Sequence, residues 1–314
     1  MELFDAIFQG VLQGLTEFLP VSSSGHLAIY QHITGITENN LFFSVMLHIG
    51  TLAAVTAVYF KIIFRLFAAL GSLLKKIFTG KFKWKEMTDQ ENLAMMIIIG
   101  LLPLFLLFIP VPGTDMKIKD LAEKFSANDG YFFVIGILLV ATSLLLFFGN
   151  KNRRPVKIIN GKRYRKKLRT RYTWVDALIV GFTQCLAVSP GLSRSGSTLA
   201  VSQLRGIEKQ TALDYSFLLG TPAVVAAALL ELKDVLTASE GDPMNINIGY
   251  VIAGMIVSTI VGFLAIKLFK WLLGTNRMYI FILYTAAVGL AILLISIIEL
   301  SSGTNLFTQK PLTF

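Results

Sequence analysis

Apolar positions along the chain run in long unbroken stretches rather than alternating or recurring every third or fourth residue. Stretches at about 41–60, 92–110, 130–149, 210–231, 248–270 and 277–300 each approach the 20 or so apolar residues that carry a helix across a hydrocarbon core. They predict six spanning helices. Two further stretches are interrupted. Leu3–Leu19 reads as a helix, meets Pro20 and the polar SSSGH, and resumes as LAIYQHI; Trp174–Val188 does the same before Pro190 and LSRSGST, and resumes as LAVSQL. Each half is too short to cross. Irregular backbone at membrane depth is tolerated only where protein or water surrounds it, so these segments predict two re-entrant helical hairpins. The fold class that follows is an all-α polytopic membrane protein.

The two breaks resemble each other. GVLQGLTEFLPVSSSGHLA, from Gly10, and GFTQCLAVSPGLSRSGSTLA, from Gly181, share a glycine, then Gln13 or Gln184, then proline, then SxSG. Further on, IGTLAAV from Ile49 returns as LGTPAVV from Leu219, so that position 25 matches 196 and position 50 matches 220 in nearly constant register. The stretches at 41–60, 92–110 and 130–149 separate the hairpins. An odd number of spans makes the second copy enter from the opposite face. That is an inverted-topology repeat, which puts a binding site near the midplane between the broken elements. Residues 1–314 then form one integral membrane domain, with repeat one at about 1–110 and repeat two at about 172–300, joined by the span 130–149 and the loop 150–172.

Composition agrees. Residues AVILMFWYC make up 54%, charged residues 15%, and mean hydropathy is +0.66, against about 25% charged in a soluble domain. Disordered, collagen-like and disulfide-rich classes are excluded, and the single cysteine, Cys185, forms no intrachain disulfide. The net charge of +10 invites a nucleic-acid reading, but 18 of the 29 Lys and Arg fall between Lys61 and Lys85 and between Lys151 and Arg171. Basic loops flanked by spans are cytoplasmic loops, near anionic lipid, so no nucleic-acid partner is expected. Lys267, Lys270 and Arg277 mark a third cytoplasmic connection, Leu232–Asn247 suits the outer side, and Val111–Asp129 falls outside by alternation. Both termini then lie outside and the first hairpin opens outward. Met1–Phe18 lacks a basic leading region, carrying Glu2, Asp5, Gln9, Gln13 and Glu17 instead, so it is not expected to be a cleaved signal peptide.

The candidate chemistry lies at the breaks. Gln13 and Glu17 share a helix face, and an ionisable group in a membrane segment marks a functional site by default. Ser22, Ser23, Ser24, Gly25 and His26 follow, where hydroxyls suit a helix cap and a helix N-terminus suits an anion. In PGLSRSGST, Pro190–Thr198, Arg194 offers a planar donor fork matched to phosphate oxygens, amid Ser193, Ser195, Ser197 and Thr198, with Gly191 and Gly196 allowing close approach. Its anionic partner is a ligand, or Glu17 across the repeat, or each in turn. His48 reads as a hydrogen-bonded core histidine and His32 as interfacial. Asp214 and Glu231 lie near span ends, and Asp176 opens a half-helix. With no HExxH, paired-aspartate, CxxC, Walker or dinucleotide pattern, the residues alone indicate no metal or nucleotide, and only Glu17 qualifies as a metal contributor.

QGLTE (Gln13–Glu17), LPVSSSGH (Leu19–His26) and PGLSRSGST resemble the signature motifs of the undecaprenyl-diphosphate phosphatase family, known for bacitracin resistance. The resemblance covers almost the whole chain. It implies a multi-pass enzyme of the bacterial cell (inner) membrane, opening to the outer, periplasmic face. Such an enzyme releases phosphate from a polyprenyl diphosphate lipid and so recycles the carrier used in peptidoglycan synthesis. It further implies Glu17, Ser23, His26 and Arg194 as catalytic, and Gln13, Ser22, Ser24, Gly25, Ser193, Ser195, Gly196 and Thr198 as substrate-binding. A divalent cation, Mg2+ or Ca2+, comes from the resemblance alone. Gln13 stands where several members carry Glu, which weakens any role needing two carboxylates. The basic loop 151–171 is longer than usual in the family. Ser23, His26 and water all remain open as the attacking group. A lipid-phosphate flippase or anion transporter would use the same repeat without needing a nucleophile.

Overall fold

The structure, a computed structural model, describes residues 2–35, 41–114, 116–120, 129–151, 156–159, 162–165, 168–237 and 247–312, with backbone alone at 41, 129, 156–159, 162–165, 231 and 234–237. The helices among them are α1 (Leu3–Phe18), α2 (Ser23–Thr34), α3 (Leu41–Phe78), α4 (Asp89–Leu101), α5 (Phe132–Lys151), α6 (Trp174–Leu186), α7 (Arg194–Leu204), α8 (Lys209–Thr237), α9 (Ile248–Gly274) and α10 (Tyr279–Ser302). Segments Phe42–Phe78, Asp89–Phe108, Phe132–Lys151, Lys209–Leu230, Ile248–Gly274 and Tyr279–Ser302 are long and apolar enough to cross a membrane, which gives the six expected spans by length and composition.

Local chemistry sets the ends. Glu2 with Asp5, Thr88 with Glu91 and Thr173 with Asp176 form capping boxes that open α1, α4 and α6; each reciprocally satisfies two backbone N–H groups. Pro103 lies at the start of a 3-10 segment, Leu102–Phe108, that continues α4, because proline cannot supply the helical N–H. Gly35 and Gly303 end α2 and α10 with left-handed backbone, at φ 68° and 73°.

Lipid is as apolar as leucine, so helices in a membrane associate through close packing at small residues. A Cβ at Gly10 would lie 2.6 Å from Gly254 O, and one at Gly14 would lie 2.8 Å from Ser258 O; these approaches seat α1 against α9. Gly181 meets the Gly100 carbonyl in the same way, seating α6 against α4. Tyr215, fully buried, donates to Met96 O at 2.7 Å and ties α8 to α4.

One expectation needs correction. The first span continues as helix through Phe78, so Lys61, Arg65, Lys75 and Lys76 lie on α3 rather than in a loop. Lys76 there pairs with the buried Glu91 at 2.7 Å. The all-α class stands, with one short antiparallel pair in the basic loop: β1 (Val156–Ile159) pairs with β2 (Lys162–Arg165), Ile159 opposite Lys162. His32 is buried within the protein. It is 5% exposed, 2.9 Å from Glu299 and stacked on Phe132.

Candidate active site

α1 ends at the break before Pro20, and α2 begins at Ser23, earlier than the hydropathy pattern suggested. The reason is the cap. Ser22 Oγ accepts from Gly25 N at 3.3 Å, so Ser23, Ser24, Gly25 and His26 all sit within α2. Ser22 holds φ 74°, a backbone conformation that costs a serine about 1–3 kcal/mol and occurs where the surroundings over-determine it. The break between α6 and α7 carries the same device. Ser193 Oγ accepts from Gly196 N at 3.1 Å, so Arg194 is the first residue of α7.

The two tips dock on each other. Gly191 N donates to Ser22 Oγ at 3.1 Å and Ser195 Oγ donates to Leu19 O at 3.2 Å. A Cβ at Gly25 would stand 3.1 Å from Gly191 Cα, and one at Gly196 would stand 3.1 Å from Pro20 Cβ. Thr142 of α5 braces the second tip, accepting from Ser193 N at 3.0 Å and donating to Gly191 O at 3.1 Å. Two helix N-termini, each carrying partial positive charge, are thereby brought together.

Glu17 stands at this crossing, 7% exposed. Ser23 Oγ donates to its Oε2 at 2.8 Å, Gln13 Nε2 donates to the same oxygen at 3.2 Å, and Arg194 Nη2 donates to Oε1. Two carboxylate oxygens thus accept from three side chains of α1, α2 and α7. Both alternatives for Arg194 bear on this arrangement, and the pair with Glu17 is the one present here. The guanidinium side chain is 20% exposed and its partner 6%, so the arginine is the more open of the two. Half-buried His48 donates through Nδ1 to Ser44 O at 2.9 Å.

His26 is 8% exposed and does not bond Ser23. Its Nδ1 meets Ser22 O at 2.8 Å and its Nε2 meets Tyr284 Oη at 2.8 Å. A carbonyl only accepts, so Nδ1 carries a proton, and Nε2 shares a hydrogen bond with the tyrosine hydroxyl.

The remaining predicted residues divide. Ser23 faces the cluster and Ser24 is exposed beside it. Ser22, Ser193 and Ser195 use their hydroxyls to cap helices and join the tips. Thr198 is fully buried, donates to Arg194 O at 2.8 Å and meets Ser216 Oγ at 2.5 Å, so it supports the loop rather than facing the cluster. Gly25 and Gly196 provide the close approach. Asp214 binds Tyr59 Oη at 2.6 Å and Asp176 binds Arg169 and Arg205, both away from the cluster; the Glu231 side chain lies outside the described residues. Sequence reasoning missed Thr142, Ser216 and Tyr284, which sit on distant helices with no local motif to flag them.

Among the described residues no group of three His, Cys, Asp or Glu could by itself hold a metal ion. The crossing does offer one carboxylate, Glu17, and the buried Gln13 Oε1, which has no hydrogen-bond partner. One carboxylate and one amide oxygen fit a hard cation that takes most of its ligands from phosphate and water.

Residues 6–291 match the family described as "Bacitracin resistance protein BacA". Relatives named "Undecaprenyl-diphosphatase" include one from Alkaliphilus metalliredigens, 37% identical over 95% of this chain and 100% of its own. Another, from Desulforapulum autotrophicum, is 35% identical over 92% of this chain and 97% of its own. A third, from Halothermothrix orenii, is 32% identical over 94% and 99%.

Proposed function

The chain belongs to the family of the bacitracin resistance protein BacA, and from that membership and the geometry of the crossing we propose how it works. It is a membrane phosphatase that hydrolyses undecaprenyl diphosphate to undecaprenyl phosphate and inorganic phosphate. By returning the lipid carrier to peptidoglycan synthesis it confers bacitracin resistance. The observation that carries the reading is the Ser23 hydroxyl directed at the Glu17 carboxylate, 2.8 Å away, with the Arg194 guanidinium on the other oxygen. A nucleophile, a base within hydrogen-bond reach and a fixed cation are the parts that phosphoryl transfer needs.

The diphosphate arrives at the crossing and draws Arg194 from Glu17 onto its phosphoryl oxygens. The exchange replaces one anion with another on the guanidinium and frees Glu17 as a base. Ser23 Oγ attacks the terminal phosphorus and gives its proton to Glu17, while the bond to the bridging oxygen breaks and undecaprenyl phosphate departs. Glu17 then loses that proton to solvent. Water attacks the phosphoserine, Glu17 takes its proton and returns one to Ser23 Oγ, and phosphate leaves. Arg194 and the N–H groups of the two helix starts stabilise the charge that spreads over the phosphoryl oxygens. His26, held at both ring nitrogens, lines the site and fixes the first turn of α2. Glu17 and Gln13 Oε1 are the residues that would hold a Mg2+ or Ca2+ riding on the diphosphate, where it would neutralise phosphate charge.

The two hairpins form a re-entrant, inverted repeat within one integral membrane domain. Corresponding features keep a shift of 171 positions: α1 and α6 start at 3 and 174, the caps are Ser22 and Ser193, their donors Gly25 and Gly196, the packing glycines Gly10 and Gly181, and the buried glutamines Gln13 and Gln184. Basic residues on the far half of α3 and in the 150–172 segment set the cytoplasmic side, so the crossing opens to the outer face. The test is phosphate release from undecaprenyl diphosphate by purified protein, with EDTA and with Mg2+ restored. Release that stops with EDTA and returns with Mg2+ supports enzyme and cation together. No release, with anion exchange across proteoliposomes instead, makes the repeat a transporter.

A further inference from the structure

The recurrent segments IGTLAAV and LGTPAVV have no part in the chemistry above, yet their glycines, Gly50 and Gly220, occupy matched places on α3 and α8. What surrounds them differs. A Cβ at Gly50 would lie 2.5 Å from Met255 O and against Ser258 Oγ of α9, so that glycine allows two helices to pack. A Cβ at Gly220 would fall on Arg194 Nη1 and 2.7 Å from Arg194 Cζ, and the next nearest atom is again the arginine's, Nε at 3.5 Å. Among the described residues, the three atoms nearest that Cβ all belong to the guanidinium.

The neighbourhood explains why the arginine lies there. One turn earlier on the same face of α8, Ser216 Oγ donates to Ser195 O at 3.2 Å and meets Thr198 Oγ1 at 2.5 Å, which docks α8 onto the first turn of α7. Arg194 opens that turn. Its side chain runs along α8, with Nη1 over Gly220 and Nη2 on Glu17 Oε1.

We infer that Gly220 is a positioning residue for the reaction: its bare backbone is the seat that holds the Arg194 guanidinium at the crossing, where it meets Glu17 and then the diphosphate. The inference rests on the phosphatase reading, in which Arg194 binds phosphoryl oxygens. Gly220→Ala places a methyl where Nη1 lies. The obstructed group is the far end of a flexible side chain, so the arginine gives way and the helices do not. Gly50→Ala, by contrast, presses on backbone and loosens the fold.

The experiment measures phosphate release from undecaprenyl diphosphate and thermal unfolding in detergent for wild type, Gly220→Ala, Gly50→Ala, Arg194→Lys and Arg194→Lys with Gly220→Ala, alongside Arg194→Ala. Gly220→Ala is expected to unfold within a few degrees of wild type and to lose about a hundredfold in kcat/KM, the order of effect of a misplaced catalytic group. Added to Arg194→Lys, whose compact ammonium leaves room for the methyl, it is expected to cost little more. Wild-type activity in Gly220→Ala, an equal loss in the lysine background, or failure of Gly220→Ala to fold each overturns the inference. Full activity in Arg194→Ala overturns the role of the arginine itself, a separate result.

Discussion

Glu17→Gln isolates the charge of the central carboxylate. The substitution keeps the side chain's length and planarity but exchanges one acceptor oxygen for an NH2 donor. In the protein, Ser23, Gln13 and Arg194 all donate to the two Glu17 oxygens. A glutamine supplies one acceptor, so at least one of these donors faces another donor or turns away. Ser23 adapts by rotating its hydroxyl to accept from the new amide, and in doing so loses the base that would take its proton. Loss of a general base is worth about 10²–10⁴ in rate, or about 2.7–5.4 kcal/mol at 1.36 kcal/mol per decade. Arg194, no longer neutralised by Glu17, is more available to the ground-state diphosphate, so KM stays level or falls. The expected signature is therefore a kcat loss without a KM rise, measured by initial-rate phosphate release over a range of undecaprenyl diphosphate in detergent, with circular dichroism to establish folding. A folded Glu17→Gln variant with kcat within threefold of wild type would refute the base assignment and leave Glu17 as the resting partner of Arg194.

Rapid quenching with substrate labelled in the terminal phosphate should trap label on Ser23 in wild type and in His26→Ala but not in Ser23→Ala; label on His26, or none anywhere, would reassign the attacking group. Gly181→Val drives a side chain into the Gly100 carbonyl and should lower stability by about 1–3 kcal/mol, read as a reduced unfolding temperature. An unchanged temperature would mean that α6 and α4 do not depend on this contact. Burial by itself would raise the Asp176 carboxyl, but hydrogen bonds from Arg169, Thr173 and Arg205 outweigh it and hold it well below the usual carboxylate range. A depressed folded value gives stability that is present above the unfolded value of about 3.9 and lost as pH falls through the folded one. Asp176→Asn should therefore unfold earlier than wild type at pH 7, the gap closing below about pH 4; a pH-independent gap would contradict the assignment.

Much of this protein is legible in the sequence because the membrane imposes simple rules. Length and apolarity give the spans, and a polar stretch with proline and glycine gives the break between α1 and α2 and that between α6 and α7, since neither signal depends on a distant partner. Hydropathy misplaced the start of α2 and α7 because it weighs Ser23, Ser24 and Arg194 as polar interruptions, while Ser22 and Ser193 make them first-turn residues by capping. It also ended the first span at the first lysine, although α3 remains helical once its basic residues reach water and Glu91. At the site, Glu17, Ser23 and Arg194 stand out as polar groups in an apolar stretch, and they do converge. The hydroxyls of Ser22, Ser193, Ser195 and Thr198 look equivalent to that of Ser23 in sequence, yet they are engaged in holding tip to tip and loop to helix. His32 and Glu299, which form a buried pair 267 positions apart, and Tyr284, which meets His26 from α10, are visible only when the fold brings them together.

The proposed chemistry needs a fixed cation, Arg194 at the start of α7, acting on a phosphoryl group next to Ser23 and Glu17 of α2 and α1. Phosphate release from undecaprenyl diphosphate by purified wild type and Arg194→Ala, at matched and verified folding, tests it most directly. Turnover in wild type with a loss of about 10²–10³ in the variant is the expected result, the magnitude found when one donor to a developing oxyanion is removed. Comparable turnover in both proteins, or none in well-folded wild type, would contradict it.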